Sequence, residues 1–144
     1  MRRALLVYNP QSGNRNVPKK LDYIIGRFME KDTVVIPYRF DGRNADMLSE
    51  VLAGDKFDFV IVSGGDGTVN LIASELLKAG LDIPIGIIPA GTCNDFARSL
   101  NIPVDLTKAL NIILEGNVVQ IDAGLINNEK YCLNTCAGGN FVDA

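Results

Sequence analysis

The residues with the clearest chemical potential form the run Gly64-Gly-Asp-Gly-Thr-Val-Asn70, which follows the apolar segment Phe59 to Val62. Its three glycines favour a turn that bulkier residues would obstruct, because glycine reaches positive φ without strain. The spacing typical of an amphipathic helix follows at Val69, Ile72, Ala73 and Leu76. A helix N-terminus behind a glycine-lined gap can bind phosphate, and Asp66 at its edge is suited to holding Mg²⁺ or its waters. An ordinary strand–turn–helix connection has the same pattern, so this motif alone leaves both interpretations open.

Two further polar loops follow predicted strands. Residues Asn9-Pro-Gln-Ser-Gly-Asn-Arg-Asn16 follow Arg3 to Tyr8, and residues Pro89-Ala-Gly-Thr-Cys-Asn-Asp95 follow Pro84 to Ile88. In a parallel sheet the carboxyl ends of the strands lie along one edge, and ligands bind at that edge. The three loops are therefore expected to converge on a nucleotide or another phosphorylated ligand.

Strands and helices alternate along most of the chain. Besides the three strands named above, a fourth is expected over Thr33 to Tyr38, and a helix is expected over Pro18 to Glu30. A shorter helix is marked by Ala45, Leu48 and Leu52, and another is expected near Phe96 to Leu100. Asp105 is the predicted N-cap of a last helix. The apolar face of this helix is formed by Leu106, Ala109, Leu110 and Ile113. This order predicts an α/β fold: a Rossmann-like parallel sheet with helices on both faces.

Residues 117–144 depart from this alternation. Asn117 to Ile126 and Tyr131 to Ala137 are predicted strands, joined by a turn at Asn127 to Lys130. We therefore predict a nucleotide-binding α/β domain at 1–116, and at 117–144 the first β-hairpin of a β-rich second domain that is otherwise missing. A lone hairpin is marginally stable and leaves strand edges unpaired. Disorder and folding back onto the first domain are alternatives, but we expect self-association of two copies through this segment.

Composition narrows the classes of function. The chain has 144 residues and a net charge of −3, without a basic stripe, so nucleic acid is not an expected partner. It has no histidine, which excludes Ser-His-Asp and Cys-His catalysis and histidine-ligated metal sites. Three cysteines, Cys93, Cys132 and Cys136, are an odd number that suits a reducing compartment and core packing. A cytoplasmic protein is expected, with peripheral contact at the inner membrane face left open.

The three loops together resemble a known family. Asn9-Pro-Gln-Ser-Gly13, Gly64 to Asn70, and Pro89 to Arg98 are similar to successive motifs of the diacylglycerol kinase catalytic domain family. The resemblance runs from about Arg3 to Val142. The Gly-Gly-Asp-Gly-Thr run is shared with NAD kinases and phosphofructokinases, whereas Asn94-Asp-Phe-Ala-Arg98 is specific to the lipid kinases.

The resemblance implies ATP with Mg²⁺ in a cleft and a diacylglycerol-like lipid hydroxyl as phosphoryl acceptor. It assigns nucleotide contacts to three groups of residues: Asn9, Pro10, Gln11, Ser12 and Gly13; Gly64, Gly65, Asp66, Gly67, Thr68, Val69 and Asn70; and Thr92 and Asn94. It assigns the metal to Asp66 and Asp95. Helix capping by Asn94 or Asp95, and turn closure by Asn9 and Ser12, are structural alternatives. Phe40 departs from the family, which usually has a threonine near the nucleotide after the second strand.

The resemblance also implies that the general base and most of the lipid pocket belong to the missing second domain. The sequence therefore predicts the nucleotide-binding domain of a lipid kinase, inactive as residues 1–144 alone. An NAD kinase-like phosphotransferase is one alternative, against which the Asn94 to Arg98 block argues. A non-catalytic nucleotide-binding or scaffold module is the alternative from another class.

Overall fold

A computed structural model describes residues 1–11, 16–42, 45–90 and 94–116. It also describes the backbone of four short segments, at 120–121, 124–126, 130–132 and 142–143. Four parallel strands form the central sheet: β1 (Arg2–Tyr8), β2 (Thr33–Arg39), β3 (Phe59–Gly64) and β4 (Ile85–Pro89). Their order across the sheet is β2-β1-β3-β4. All four predicted strands are confirmed, and β3 extends through Ser63 to Gly64.

The central strands are apolar because helices cover both of their faces. Every residue of β3 is buried, so its sequence shows no polar alternation. The edge strand β2 contains Pro37, which has no N–H to donate. The N–H of Phe40 donates to the carbonyl oxygen of Tyr8 at 2.8 Å. Since hydrogen-bonding direction alternates along a strand, Pro37 faces away from β1. The missing donor therefore falls on the outer side of an edge strand, where proline is tolerated.

Six helices accompany the sheet among the described residues: α1 (Asn16–Lys19), α2 (Leu21–Met29), α3 (Ala45–Gly54), α4 (Asp66–Lys78), α5 (Asp95–Ser99) and α6 (Leu106–Glu115). The prediction of one helix over Pro18 to Glu30 is wrong. Lys20 has φ −116° and ψ 21°, which separates α1 from α2. Its N–H donates to the carbonyl oxygen of Val17 at 3.1 Å, closing a tighter turn than an α-helix allows.

Two apolar clusters form the core, one on each face of the sheet. The α4-side cluster joins Leu5, Val7, Val60, Val62 and Ile87 of the strands to residues of α3, α4 and α5. The α6-side cluster joins Ala4, Leu6, Phe59, Ile61 and Ile88 of the strands to residues of α1, α2 and α6. Alternate residues of each strand thus face opposite clusters, as the pleat of a strand requires.

Helix α6 begins at the predicted cap. The side chain of Asp105 accepts a hydrogen bond from the N–H of Thr107 at 3.0 Å. At the other end Gly116 is left-handed, with φ 75°, and its N–H donates to the carbonyl oxygen of Ile113. The two caps define where α6 starts and stops.

We expect Asp105→Ala to lower the free energy of unfolding by about 1 kcal/mol, because the first turn of α6 loses a capping acceptor. Urea denaturation monitored by circular dichroism measures this change. Asp105→Asn is the matched control, since asparagine caps equally well. Equal losses in both variants would show that the carboxylate charge, rather than the cap, stabilises this end of α6.

Beyond α6 the described backbone forms two short antiparallel pairs. Strand β5 (Gln120–Ile121) pairs with β8 (Val142–Asp143), and β6 (Gly124–Ile126) pairs with β7 (Lys130–Cys132). The predicted hairpin is confirmed in the pairing of β6 with β7, although Lys130 belongs to the strand rather than to the turn. Strand β7 also lies against α4. Self-association through residues 117–144 and the domain boundary at 116 stay predictions.

Candidate functional site

The chain leaves two adjacent strands in opposite directions. After β1 it continues into α1 and α2, whose residues Val17, Ile24 and Phe28 belong to the α6-side cluster. After β3 it continues into α4, whose Val69 and Ile72 belong to the α4-side cluster. Strands β1 and β3 are neighbours in the sheet. Such a reversal leaves a crevice beyond the carboxyl ends of the two strands, which is the usual ligand site of open parallel sheets.

Backbone hydrogen bonds hold the loops that follow the strands beside one another. The N–H of Asn9 donates to the carbonyl oxygen of Ser63 at 3.4 Å, at the base of the crevice. On the other side of β3, the N–H of Ala90 donates to the carbonyl oxygen of Gly64 at 3.2 Å. The first residues of all three loops therefore lie along one edge, as the sequence predicts. The sequence motifs do not include Ser63, although a polar residue at the end of an apolar run marks its position.

Glycine is required at position 64 for a reason other than the expected one. Among the described glycines, positive φ occurs only at Gly42, Gly80 and Gly116, so the turn from β3 into α4 does not use it. Instead, a Cβ atom on Gly64 would lie 2.8 Å from Cβ of Thr68. Gly64 is needed because the first turn of α4 passes directly over the end of β3.

The N-terminus of α4 faces the crevice. Gly65 is the N-cap residue, and Asp66 is the first residue of the helix. The first intrahelical N–H at this end is that of Val69, which donates to the carbonyl oxygen of Gly65 at 3.1 Å. The N–H groups of Gly67 and Thr68 therefore have no acceptor within α4, and such groups are suited to binding an anion.

The predicted contacts in this motif differ in what they can offer a ligand. The side chain of Val69 is buried in the α4-side cluster, so it supports the helix rather than the ligand. Asp66, Thr68 and Asn70 are half-buried, which leaves part of each residue accessible. Asp66 thus places a partly accessible acidic residue in the first turn of α4.

The loop after β1 begins with a turn closed by its own side chain. The side-chain oxygen of Asn9 accepts a hydrogen bond from the N–H of Gln11 at 2.9 Å. The structural role proposed for Asn9 is therefore confirmed. Asn9 and Pro10 are half-buried and Gln11 is exposed, so part of each residue is accessible. Ser12 and Gly13 lie outside the described residues.

The loop after β4 ends at a residue with unusual backbone geometry. Asn94 has φ 53°, in the left-handed region that asparagine adopts more readily than most residues. Its carbonyl oxygen accepts from the N–H of Arg98 at 2.9 Å, so Asn94 occupies the N-cap position of α5. Asn94 is only 8% exposed. Thr92, Cys93 and the side chain of Asp95 lie outside the described residues, as does Cys136.

Phe40, which stands where the family resemblance implies a threonine, cannot make the contact that a threonine would make with a nucleotide. It follows β2, and its N–H is bonded to Tyr8. Its side chain is buried in the α4-side cluster. Phe40 therefore contributes apolar packing beneath the edge and no hydroxyl group to a ligand.

Neither clustered acidic side chains nor shifted pKa values indicate a second functional site among the described residues. No group of three or more aspartate, glutamate or cysteine side chains within that part of the chain is arranged to hold a metal ion. The Lys56 N–H and then the Arg3 side chain lower the pKa of Asp55, near the amino end of β1. The Thr107 hydroxyl and then Arg27 lower the pKa of Tyr23, on the outer surface of α2. Both groups lie away from the crevice.

No described helix is long and apolar enough to cross a membrane. The fold and the crevice together define a doubly wound α/β protein with a helix N-terminus at its switch point, the arrangement typical of nucleotide-binding domains.

Comparison with known proteins agrees with that class. The family model for the diacylglycerol kinase catalytic domain matches residues 3–126. A diacylglycerol kinase of Staphylococcus carnosus (strain TM300) is 34% identical over 145 residues, which cover 99% of this chain and 46% of that protein. A diacylglycerol kinase of Staphylococcus aureus (strain MRSA252) is 33% identical over 142 residues, covering 98% of this chain and 45% of that protein.

A solved structure shares the fold. The crystal structure of a diacylglycerol kinase from Bacillus anthracis superposes with a TM-score of 0.76 at 30% sequence identity, covering 92% of this chain and 48% of that chain. The chain belongs to the diacylglycerol kinase catalytic domain family. It spans about half the length of the relatives that it matches.

Proposed function

We propose that this chain is the nucleotide-binding half of an ATP-dependent lipid kinase. The observation that carries the proposal is the crevice between Asn9 and the N-terminus of α4, in a chain that belongs to a lipid kinase family. The whole protein would transfer the γ-phosphoryl group of ATP to the hydroxyl of a diacylglycerol-like lipid. The family match supports this acceptor over the NAD of the alternative phosphotransferase.

The crevice supports phosphate binding through its backbone. Gly64 and Gly65 carry no side chains, so an anion can approach the end of β3 closely. The N–H groups of Gly67 and Thr68 have no acceptor in α4 and would donate to phosphate oxygens. Asn9 closes the opposite side of the same crevice. The phosphate groups of ATP would therefore lie between the Asn9 turn and the first turn of α4.

A magnesium ion fits this arrangement. Mg²⁺ is bound by oxygen ligands and keeps several waters, so one or two carboxylates beside the phosphates are enough. Asp66, half-buried in the first turn of α4, would supply one of these carboxylates. Asp95, at the start of α5, is the second carboxylate that the family resemblance assigns. Bound Mg²⁺ neutralises the charge that develops on the phosphates during transfer.

The chain itself would bind and orient ATP rather than complete the reaction. Phosphoryl transfer also needs a group that accepts the proton of the attacking hydroxyl. The relatives are about twice as long as this chain. We place the base and the lipid pocket in the part of them that this chain does not match, and we expect no lipid phosphorylation by residues 1–144 alone.

The test of this proposal is calorimetric titration of the chain with ADP, with and without Mg²⁺. We expect wild-type protein to bind ADP more tightly when Mg²⁺ is present. Asp66→Asn should weaken Mg²⁺-dependent binding about tenfold, because a charged ligand to the metal or its waters is lost. Without Mg²⁺ the two proteins should bind ADP about equally.

Asp82→Asn provides the matched control. It makes the same chemical change at an exposed aspartate in the connection between α4 and β4. Its affinity for Mg-ADP should equal that of the wild type. Absence of binding at millimolar ADP would contradict the proposed site, and equal affinity of Asp66→Asn and wild type would remove Asp66 from the metal site.

A further inference from the structure

Ser63 has a buried hydroxyl group for which the described part of the chain provides no hydrogen-bond partner. The residue is 1% exposed and is the next to last residue of β3. Its carbonyl oxygen accepts from the N–H of Asn9. Among the described residues, however, its side chain has no hydrogen-bond partner. A buried hydroxyl without a partner is unfavourable by about 1–3 kcal/mol, so a partner at this position is expected.

The pleat of β3 indicates where this hydroxyl points. Phe59 and Ile61 face the α6-side cluster, whereas Val60 and Val62 face the α4-side cluster. Alternation therefore directs Ser63 to the α6 side, the face on which the chain leaves β1. Gly64, the next residue, meets Thr68 of α4 on the opposite side. Ser63 thus lies at the floor of the crevice, beneath the start of the loop after β1.

The layer that contains Ser63 differs from the layers below it. Ser63 is paired in register with Tyr8 of β1, and Tyr8 also packs on the α6 side. The hydroxyl of Tyr8 has no hydrogen-bond partner in the described part of the chain either. The preceding layers on this face are apolar, with Leu6 beside Ile61 and Ala4 beside Phe59. The face therefore becomes polar only in its last layer, next to the crevice.

The chemistry of the crevice favours a ligand as the missing partner. Neither Asn9 to Gln11 nor Gly64 to Asn70 contains a lysine or arginine. A phosphate held beside these two runs would meet neutral donors and a metal ion there, whereas Arg15, later in the loop after β1, lies outside the described residues. A serine hydroxyl at the floor of the crevice is a neutral donor of this kind.

We infer that the hydroxyl of Ser63 donates a hydrogen bond to a phosphate oxygen of the nucleotide in the crevice. This inference rests on the proposed function and adds a binding residue that the sequence motifs do not include. The ligand class is a nucleoside di- or triphosphate. The hydrogen bond would position the phosphates from below, opposite the N–H groups of Gly67 and Thr68.

The experiment titrates Ser63→Ala with two probes, Mg-ADP and Mg-pyrophosphate, by calorimetry. Both probes carry phosphates, so both should bind about three- to tenfold more weakly than to wild-type protein, the effect of losing one hydrogen bond. Ser63→Cys should weaken binding similarly, because it keeps the volume but has only a weak donor. Thermal unfolding without ligand should be unchanged or slightly higher for Ser63→Ala, which separates binding from folding.

Ser74→Ala is the control variant. Ser74 is also a buried serine, but it lies in the middle of α4 rather than at the crevice. Its affinity for both probes should match the wild type. Equal affinities of wild type, Ser63→Ala and Ser63→Cys would overturn the inference while leaving the proposed function intact. A wild-type chain that binds neither probe would overturn both.

Discussion

Phe28→Ala is expected to lower the free energy of unfolding by about 3–5 kcal/mol, because it opens a cavity in a fully buried part of the core. Phe28 is 0% exposed and belongs to the α6-side cluster. Its ring centroid lies 6.1 Å from that of Phe59 in β3. Urea denaturation followed by circular dichroism measures the loss. Since domains of this size are stable by only about 5–15 kcal/mol, this variant is expected to lose a large part of its stability.

The neighbouring residue supplies the control. Met29 is on the same helix but 60% exposed, so Met29→Ala should change the free energy of unfolding by less than about 0.5 kcal/mol. Phe28→Leu, which refills part of the cavity, should fall between the wild type and Phe28→Ala and keeps the comparison measurable. Similar losses for Phe28→Ala and Met29→Ala would contradict the packing of α2 against the sheet.

Gly64→Ala is expected to lower the free energy of unfolding by about 1–3 kcal/mol, the usual effect of overpacking. The new Cβ would lie 2.8 Å from Cβ and 3.0 Å from Oγ1 of Thr68. Both contacts are with atoms close to the helix backbone, so relief requires α4 to move away from the end of β3. Because that movement displaces the Gly67 and Thr68 N–H groups, Mg-ADP binding should fall together with stability.

Gly67→Ala is the control for Gly64→Ala, because it replaces a nearby glycine that makes no close contact. A Cβ atom on Gly67 would meet nothing within 4 Å, and the residue lies inside α4. Alanine there should raise the free energy of unfolding by up to about 1 kcal/mol. Urea denaturation of the two variants should therefore give changes of opposite sign. A change of the same sign in both would show that the contact with Thr68 does not determine the choice of glycine at position 64.

Much of the fold was predictable from local patterns. Runs of apolar residues at Leu5 to Val7 and Phe59 to Val62 specify buried strands, because side chains of alternating direction must both be apolar in a covered sheet. The start of α6 was predictable from Asp105, since an N-cap acts within one turn. The family, too, was recognisable from three short motifs. The strands and the cap were predictable because an apolar run and an N-cap each depend on residues that are near one another in the chain.

Other features did not follow from the pattern of apolar residues or from the motifs. The periodicity of Leu21 to Phe28 did not reveal the break at Lys20. The motif of Gly64 correctly indicated a tight turn, but its cause is the approach of Thr68 rather than positive φ. The left-handed backbone of Asn94 was not predicted, although asparagine adopts this conformation more readily than most residues.

The crevice is the clearest product of tertiary structure. The sequence alone determined that three polar loops follow three parallel strands. Only the packing decided that the chain leaves β1 and β3 toward opposite faces, and that Ser63 lies at the floor between them. The physical reason is that the face a helix covers depends on the apolar surface available across the whole sheet. Local periodicity gives each helix an apolar stripe, but the surface that buries the stripe belongs to strands far away in the sequence.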